Sequence, residues 1–274
     1  TWNSENEQAL VTYGCVAITF ALGARRYNSA FFSYAAAIVV VFSSVPQMLI
    51  SGVPVTHLGM GLAIVAIVFW IAGLLCARRC ISLRNSDAES TASTVEQIYQ
   101  RPLVRSSAIL ALVAIAHSLY VWKTHGWSVS QAPIVFACAL GAVTLLLNAR
   151  SLNMLHRVTR ARSLVYLACA ALTGCSFAIT SAAGSFDELG PVSAITALVL
   201  AVAALAMIEN ARAVEGSNPS LAESRRTFGE PIFNFSCALT VLAVVVSLIA
   251  IMGSLGGAIN LLERRSDPVT LSQL

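Results

Sequence analysis

Long apolar stretches separated by short polar gaps run along most of the chain. Each stretch has close to the roughly 20 mainly apolar residues that a helix needs to cross the hydrocarbon core of a bilayer. Apolar and polar residues do not alternate along them as they do in the strands of a membrane barrel. The pattern therefore predicts an all-α, polytopic transmembrane helix bundle of about eight spans. Their approximate limits are 8–24, 29–52, 57–77, 104–122, 131–148, 163–182, 191–208 and 231–256.

Composition supports a membrane protein. Hydrophobic residues make up 57% of the 274 residues and charged residues only 11%, whereas a soluble domain carries about 25% charged residues. The net charge of +4 is small, and no basic run is interleaved with aromatic residues, so nucleic acid is not expected as a partner. We interpret residues 1–274 as a single integral membrane domain whose first partner is the lipid bilayer.

Arginine placement predicts how the chain crosses the membrane. Most basic residues fall in the gaps after the first, third, fifth and seventh predicted spans, and the rest of the chain holds Lys123, Arg264 and Arg265. Arginine-rich loops stay on the inner side of a membrane. The distribution therefore predicts that these gaps face the cytoplasm or the matrix, with the N-terminus outside, in a bacterial plasma membrane or an organellar inner membrane. The arginines concerned are Arg25, Arg26, Arg78, Arg79, Arg84, Arg101, Arg105, Arg150, Arg157, Arg160, Arg162, Arg212, Arg225 and Arg226.

An internal repeat is indicated by the ends of the odd-numbered spans, where an alanine is each time followed by an arginine. Four spans per copy would keep both copies in the same orientation. We predict a possible 4+4 parallel internal repeat with halves 1–126 and 127–262 and an extramembrane tail at 263–274. A finer repeat of two-helix hairpins is the alternative. The four dipeptides are Ala24-Arg25, Ala77-Arg78, Ala149-Arg150 and Ala211-Arg212.

The two long inner gaps also resemble each other. Each contains a serine followed three residues later by a glutamate, at 93–96 and 220–223, a spacing with which helices commonly begin. The sequence predicts a short helix at the membrane surface in each gap. Each such helix is followed by a proline that opens the next span, Pro102 or Pro231. A serine stands five residues after each proline, at Ser107 and Ser236.

The most polar stretch within a predicted span is Ser43, Ser44 and Gln47 around Pro46. A proline inside a helix removes one backbone hydrogen bond and frees a carbonyl, which nearby polar side chains can satisfy. A simple structural kink would explain this stretch. The functional interpretation is contact with a solute or lipid by Ser43, Ser44 and Gln47, and by His117 near the outer end of the fourth span.

Histidine and cysteine give little support for a metal or a cofactor. His117 can reach interfacial water, and as a haem ligand it would need an axial partner at similar depth, for which His57 is a candidate. Most of the seven cysteines lie in apolar stretches, where a free cysteine behaves as a small hydrophobe. We predict no cofactor, expect bound lipids and disfavour haem.

Motifs for catalysis are absent from the sequence. It contains no phosphate-binding glycine loop, no nucleophile elbow, no zinc-protease helix and no paired carboxylates within a span. We therefore predict that the protein is not an enzyme. The favoured interpretation is a non-catalytic polytopic subunit or scaffold of a larger membrane complex, with other membrane proteins as partners. The alternative is a permease or facilitator for a neutral or apolar solute.

Overall fold

A computed structural model of the protein describes residues 4–84, 89–125, 132–154, 158–183 and 189–266. Within these ranges the regular structure is helical, so the predicted all-α bundle of membrane helices is confirmed. We number the α-helices in chain order. They are α1 Ser4–Arg26, α2 Ala30–Ile50, α3 Leu58–Arg84, α4 Glu89–Val95, α5 Arg101–His125, α6 Ala132–Met154, α7 Val158–Ala183, α8 Leu189–Val214 and α9 Pro219–Ser266, with a 3-10 turn at Val55–His57 and a π-helical turn at Glu96–Gln100.

Seven of these helices are long and apolar enough, in the part of the chain that the structure describes, to cross a membrane: α2, α3, α5, α6, α7, α8 and α9. The protein is therefore an integral membrane protein with several spans. Helix α1 covers the first predicted span and is not among the seven. Its first five residues, from Ser4 to Gln8, are mostly polar and leave a shorter apolar stretch. A crossing by α1 remains a prediction.

The helices of the two inner gaps are continuous with the spans that follow them. Helix α4 passes through the π-helical turn into α5, and α9 runs unbroken through Pro231. The prediction of separate short helices was therefore wrong. The predicted opening proline is found at Pro102, in the first turn of α5, but Pro231 lies inside α9. The π-helical turn ends two residues before Pro102, whose ring would clash in an ordinary α-helix with the carbonyl four residues earlier.

The predicted starts of these gap helices were also wrong. Ser93 lies inside α4, and the residue that caps α9 is Asn218 rather than Ser220. The Asn218 Oδ1 atom accepts a hydrogen bond of 3.1 Å from the backbone N–H of Leu221. Asparagine before a proline at the first helical position is a stronger start signal than the serine–glutamate spacing, because it caps one free N–H and places proline where no N–H is needed.

The contacts within the chain divide it into two units, residues 1–178 and 179–274. In the first unit α3 packs on α5 and α6, and α1 packs on α2. Small and medium side chains fill the core, among them Ala66, Ala111, Ala142 and Leu145. Small residues let helix backbones approach closely in a membrane, where packing rather than water drives association. The single-domain and 4+4 repeat interpretations remain predictions.

Several contacts join neighbouring helices near the arginine-rich helix ends of the first unit. The Tyr99 hydroxyl, just before α5, donates a 2.8 Å hydrogen bond to the carbonyl of Ala21 near the end of α1. Arg105 Nη1 donates a 3.1 Å bond to the hydroxyl of Tyr34 in the first turns of α2. Arg105 and Arg160 line the same groove. The orientation of these helix ends relative to the membrane, and the compartment that they face, remain predictions.

The second unit contains a hairpin in which α8 packs against α9. The face of α8 that is buried consists of small side chains: Ser193, Ala197, Ala204 and Ala211. Gly229 of α9 brings the two backbones together, because a Cβ atom there would lie 3.3 Å from the Ala204 carbonyl oxygen.

The repeated alanine–arginine endings have a structural explanation. Ala24, Ala149 and Ala211 are fully buried, and Ala77 is half-buried. The arginine that follows each of these alanines is exposed. At the end of each odd-numbered predicted span the alanine is thus more buried than the arginine that follows it.

Candidate functional site

The serine hydroxyl groups in the polar segment of α2 donate hydrogen bonds to carbonyls of the same helix. Ser43 Oγ donates a 2.9 Å hydrogen bond to the Val40 carbonyl, and Ser44 Oγ donates one of the same length to the Val41 carbonyl. Both serines are half-buried. Hydroxyl groups bonded in this way often bend a helix, and they need no ligand to be satisfied.

Pro46 lies within α2 and is exposed. It lacks the N–H that would bond to the carbonyl of Phe42, and the two serine hydroxyls donate to other carbonyls. Gln47 is half-buried, and its backbone carbonyl accepts from the N–H of Ser51 at the helix end. The residue after it, Met48, contacts α3 at Gly61, so this end of α2 is held against the next helix.

His117 lies on α5 against Gly59 of α3. A Cβ atom on Gly59 would lie 3.3 Å from His117 Nδ1 and would meet the hydroxyl of Ser118. The Nδ1 atom is buried and has no hydrogen-bond partner. His57, the suggested haem partner, contacts the hydroxyl of its neighbour Thr56 through Nδ1 at 3.1 Å.

The four predicted contact residues do not form one described site. Among the described residues, no hydrogen bond links His117 with the segment from Ser43 to Gln47, and each makes its contacts within its own helix or with α3. Their role in binding a solute or lipid remains a prediction.

Asn148, which sequence analysis did not single out, occupies the most distinctive polar position. It is fully buried on α6, and its Nδ2 atom donates to Ser107 Oγ of α5 at 3.1 Å and to the carbonyl of Thr144 at 2.8 Å. The Asn148 Oδ1 atom is also buried and has no partner. An asparagine within an apolar span is a signal that could have identified this position.

Asn148 lines a groove on α5, α6 and α7 with a volume of about 380 Å³. Its walls are mainly aliphatic, with two exposed arginines, Arg105 and Arg160, and one serine, Ser163. The groove can hold an amphiphilic molecule, because an apolar surface, a buried acceptor and two positive charges lie together.

Groups of three or more histidine, cysteine, aspartate or glutamate side chains that could hold a metal ion are not found among the described residues. Whether the protein binds a cofactor stays a prediction. Comparisons with protein-family models, with curated proteins and with solved structures find no match.

Proposed function

We propose that the protein is a non-catalytic subunit or scaffold of a larger membrane assembly. The observation that carries this proposal is the way its helices use their polar groups. The buried hydroxyls of Ser118, Thr144 and Thr173 each donate to the carbonyl four residues earlier in their own helix. Ser43 and Ser44 donate three residues back. Polar groups satisfied in this way suit a packed structural core better than a path for a polar solute.

Helix α9 gives further support, because it is longer than a membrane crossing requires. Its 48 residues correspond to about 70 Å at about 1.5 Å per residue, more than twice the roughly 30 Å hydrocarbon thickness. The part that precedes Pro231 is rich in charged side chains. In this proposal the part that precedes Pro231 lies beyond the hydrocarbon core and contacts a partner protein. The charged residues are Glu223, Arg225, Arg226 and Glu230.

The test is purification from the native membrane in a mild detergent, followed by mass measurement of the intact particle. A subunit is expected to migrate with one or more other proteins at a fixed stoichiometry. Photo-crosslinking groups placed at Arg225 and at exposed Phe42 then locate the contact. A partner that crosslinks reproducibly from Arg225 and much less from Phe42 supports docking on α9. A particle that contains this chain alone contradicts the proposal.

The second candidate is a permease or facilitator for a neutral or apolar solute. It is favoured by α2, where Pro46 leaves the Phe42 carbonyl without its usual N–H donor. Purified protein in liposomes would then admit a small neutral solute faster than empty liposomes do. The double variant Ser43→Ala, Gln47→Leu would lower that rate, whereas Ser163→Ala, outside α2, would not.

A further inference from the structure

The groove on α5, α6 and α7 is lined by Asn148, whose buried side-chain oxygen has no hydrogen-bond donor. Asn148 Nδ2 is fixed toward the carbonyl of Thr144, because a carbonyl only accepts and the amide must present its N–H to it. The second N–H bond goes to Ser107 Oγ. This assignment leaves Asn148 Oδ1 buried without a partner, which is unfavourable unless a bound molecule supplies an O–H or N–H.

Two arginines flank this acceptor. Arg105 and Arg160 both line the groove, and both side chains are exposed near the arginine-rich helix ends of the unit. Arg105 uses one N–H to reach Tyr34, so most of its five donors remain for a ligand. The ten lining residues include no acidic side chain. A pair of guanidinium groups without a carboxylate between them is suited to a phosphate group.

The remaining walls are apolar and follow the helices away from the arginines. Ile109 and Leu112 come one and two turns after Arg105 on α5, and Leu164 comes one turn after Arg160 on α7. The groove thus has charges at the membrane-surface end and aliphatic side chains deeper in the span. That gradient matches a phospholipid, with its phosphate near the surface and its acyl chains within the bilayer.

We propose that this groove binds one anionic phospholipid whose headgroup carries a hydroxyl, of the phosphatidylglycerol type. The lipid phosphate contacts Arg105 and Arg160, and a headgroup hydroxyl donates to Asn148 Oδ1. The acyl chains lie along Ile109, Leu112 and Leu164. The proposal is independent of the proposed subunit function, because it depends on a groove within the first unit alone. Inorganic phosphate shares the charge but not the apolar part, so the groove favours the lipid.

The test uses the full-length protein, delipidated in detergent, and lipid titrations followed by native mass spectrometry. The probes are phosphatidylglycerol, phosphatidylmethanol and phosphatidylcholine with identical acyl chains. Phosphatidylglycerol is expected to bind about tenfold or more tightly than zwitterionic phosphatidylcholine, because two basic residues act on its net charge. Phosphatidylmethanol, which is anionic but has no hydroxyl, is expected to bind about threefold to tenfold more weakly than phosphatidylglycerol.

Two variants separate the charge from the hydrogen bond. Arg105→Gln with Arg160→Gln is expected to lower phosphatidylglycerol affinity about tenfold or more. The matched control, Arg78→Gln with Arg79→Gln, removes the same charge from exposed positions outside the groove and should keep wild-type affinity. Asn148→Leu is expected to abolish the preference for phosphatidylglycerol over phosphatidylmethanol while both lipids still bind more tightly than phosphatidylcholine. If the double variant does not fold, Arg160→Gln alone is tested instead. It is expected to lower phosphatidylglycerol affinity about threefold or more.

Several outcomes would overturn the proposal. One is equal binding of phosphatidylcholine and phosphatidylglycerol by the wild-type protein. Another is the same loss of affinity in the control pair as in the groove pair. A third is displacement of the lipid by millimolar inorganic phosphate, which would make the site one for a free anion. The last is an Asn148→Leu protein that still prefers phosphatidylglycerol to phosphatidylmethanol.

Discussion

Helices α6 and α8 have similar mean hydropathies but differ greatly in the fraction of each helix that is buried. Their most apolar windows have mean hydropathies of 2.0 and 2.4, yet 56% of the α6 window is buried and only 17% of the α8 window. Helix α6 packs against several helices of its unit, whereas α8 packs mainly on α9. Because lipid and a protein interior are both apolar, hydropathy does not distinguish a central helix from a peripheral one.

The two helices share one feature where they pack. Small side chains are buried on α6, at Ala137, Cys138 and Ala142, and on α8, at Ala197 and Ala204. The large side chains of α8 are exposed. These are Ile195, Leu198, Val199, Val202 and Leu205. The comparison shows that α8 buries small side chains and exposes large ones, whereas α6 also buries large side chains, Ile134 and Leu145.

The sharpest test of this difference replaces a leucine in each unit. Leu145 on α6 is fully buried, and Leu198 on α8 is 65% exposed. Leu145→Ala is expected to lower the free energy of unfolding by about 2 kcal/mol or more, since it leaves a cavity that neighbours fill incompletely. Leu198→Ala is expected to change it by less than about 0.5 kcal/mol. Unfolding in SDS titrations measures both changes. Equal losses of stability would show that the face of α8 that carries Leu198 is buried.

Close helix approach is tested with glycine replacements in both units. A Cβ atom at Gly141 on α6 would lie 2.7 Å from Ile115 Cγ1, and one at Gly229 on α9 would lie 2.8 Å from Ile208 Cγ1. Gly141→Val and Gly229→Val are each expected to cost about 1–3 kcal/mol through overpacking. Gly14→Val on α1 is the control, because nothing lies within 4 Å of its Cβ position. Thermal stability in detergent ranks the three variants. If Gly229→Val is as stable as the wild-type protein, α8 and α9 can move apart to accommodate the larger side chain.

Ser107 and Ser236 occupy the same position after a proline but make different bonds. Ser107 accepts from Asn148 on another helix, whereas Ser236 donates to the Phe233 carbonyl of its own helix at 2.7 Å. Ser107→Ala is expected to lower the free energy of unfolding by about 0.6 kcal/mol, the average for an interhelical hydrogen bond in a membrane protein. Ser236→Ala should have a smaller effect. A double-mutant cycle of Ser107→Ala and Asn148→Leu measures the coupling between the two side chains. A coupling energy of zero would show that their hydrogen bond does not contribute to stability.

The smallest expected difference concerns ion pairs. Glu96 has 12% of its side chain exposed and pairs with Arg101 at 3.0 Å, whereas Glu215 has 52% exposed and pairs with Arg226 at 2.6 Å. Solvent screens the second pair more strongly, so Glu215→Gln should alter stability by less than about 0.5 kcal/mol. Glu96→Gln should lower it by about 0.5 kcal/mol. Raising the salt concentration should weaken the Glu215 pair more, and the opposite order would contradict this ranking.

The helical bundle could be predicted from the sequence because its signal is local. A run of about 20 apolar residues must form a helix in lipid, since every backbone polar group has to bond within the segment. Such a run reveals nothing about its neighbours. The α4 region shows where local signals fail: Ser93 fits a capping spacing, yet the helix begins earlier, at Glu89.

The sequence by itself thus determined that this chain is a multi-span membrane protein and that its arginines gather in alternate connections. The tertiary structure alone decided which spans are central, which serines bond within a helix, and where the groove lies. Asn148 illustrates the reason. Its buried oxygen became notable only when α5 placed Ser107 beside its amide and α7 placed Arg160 on the same groove, and contacts between residues distant along the chain leave no mark in a local pattern.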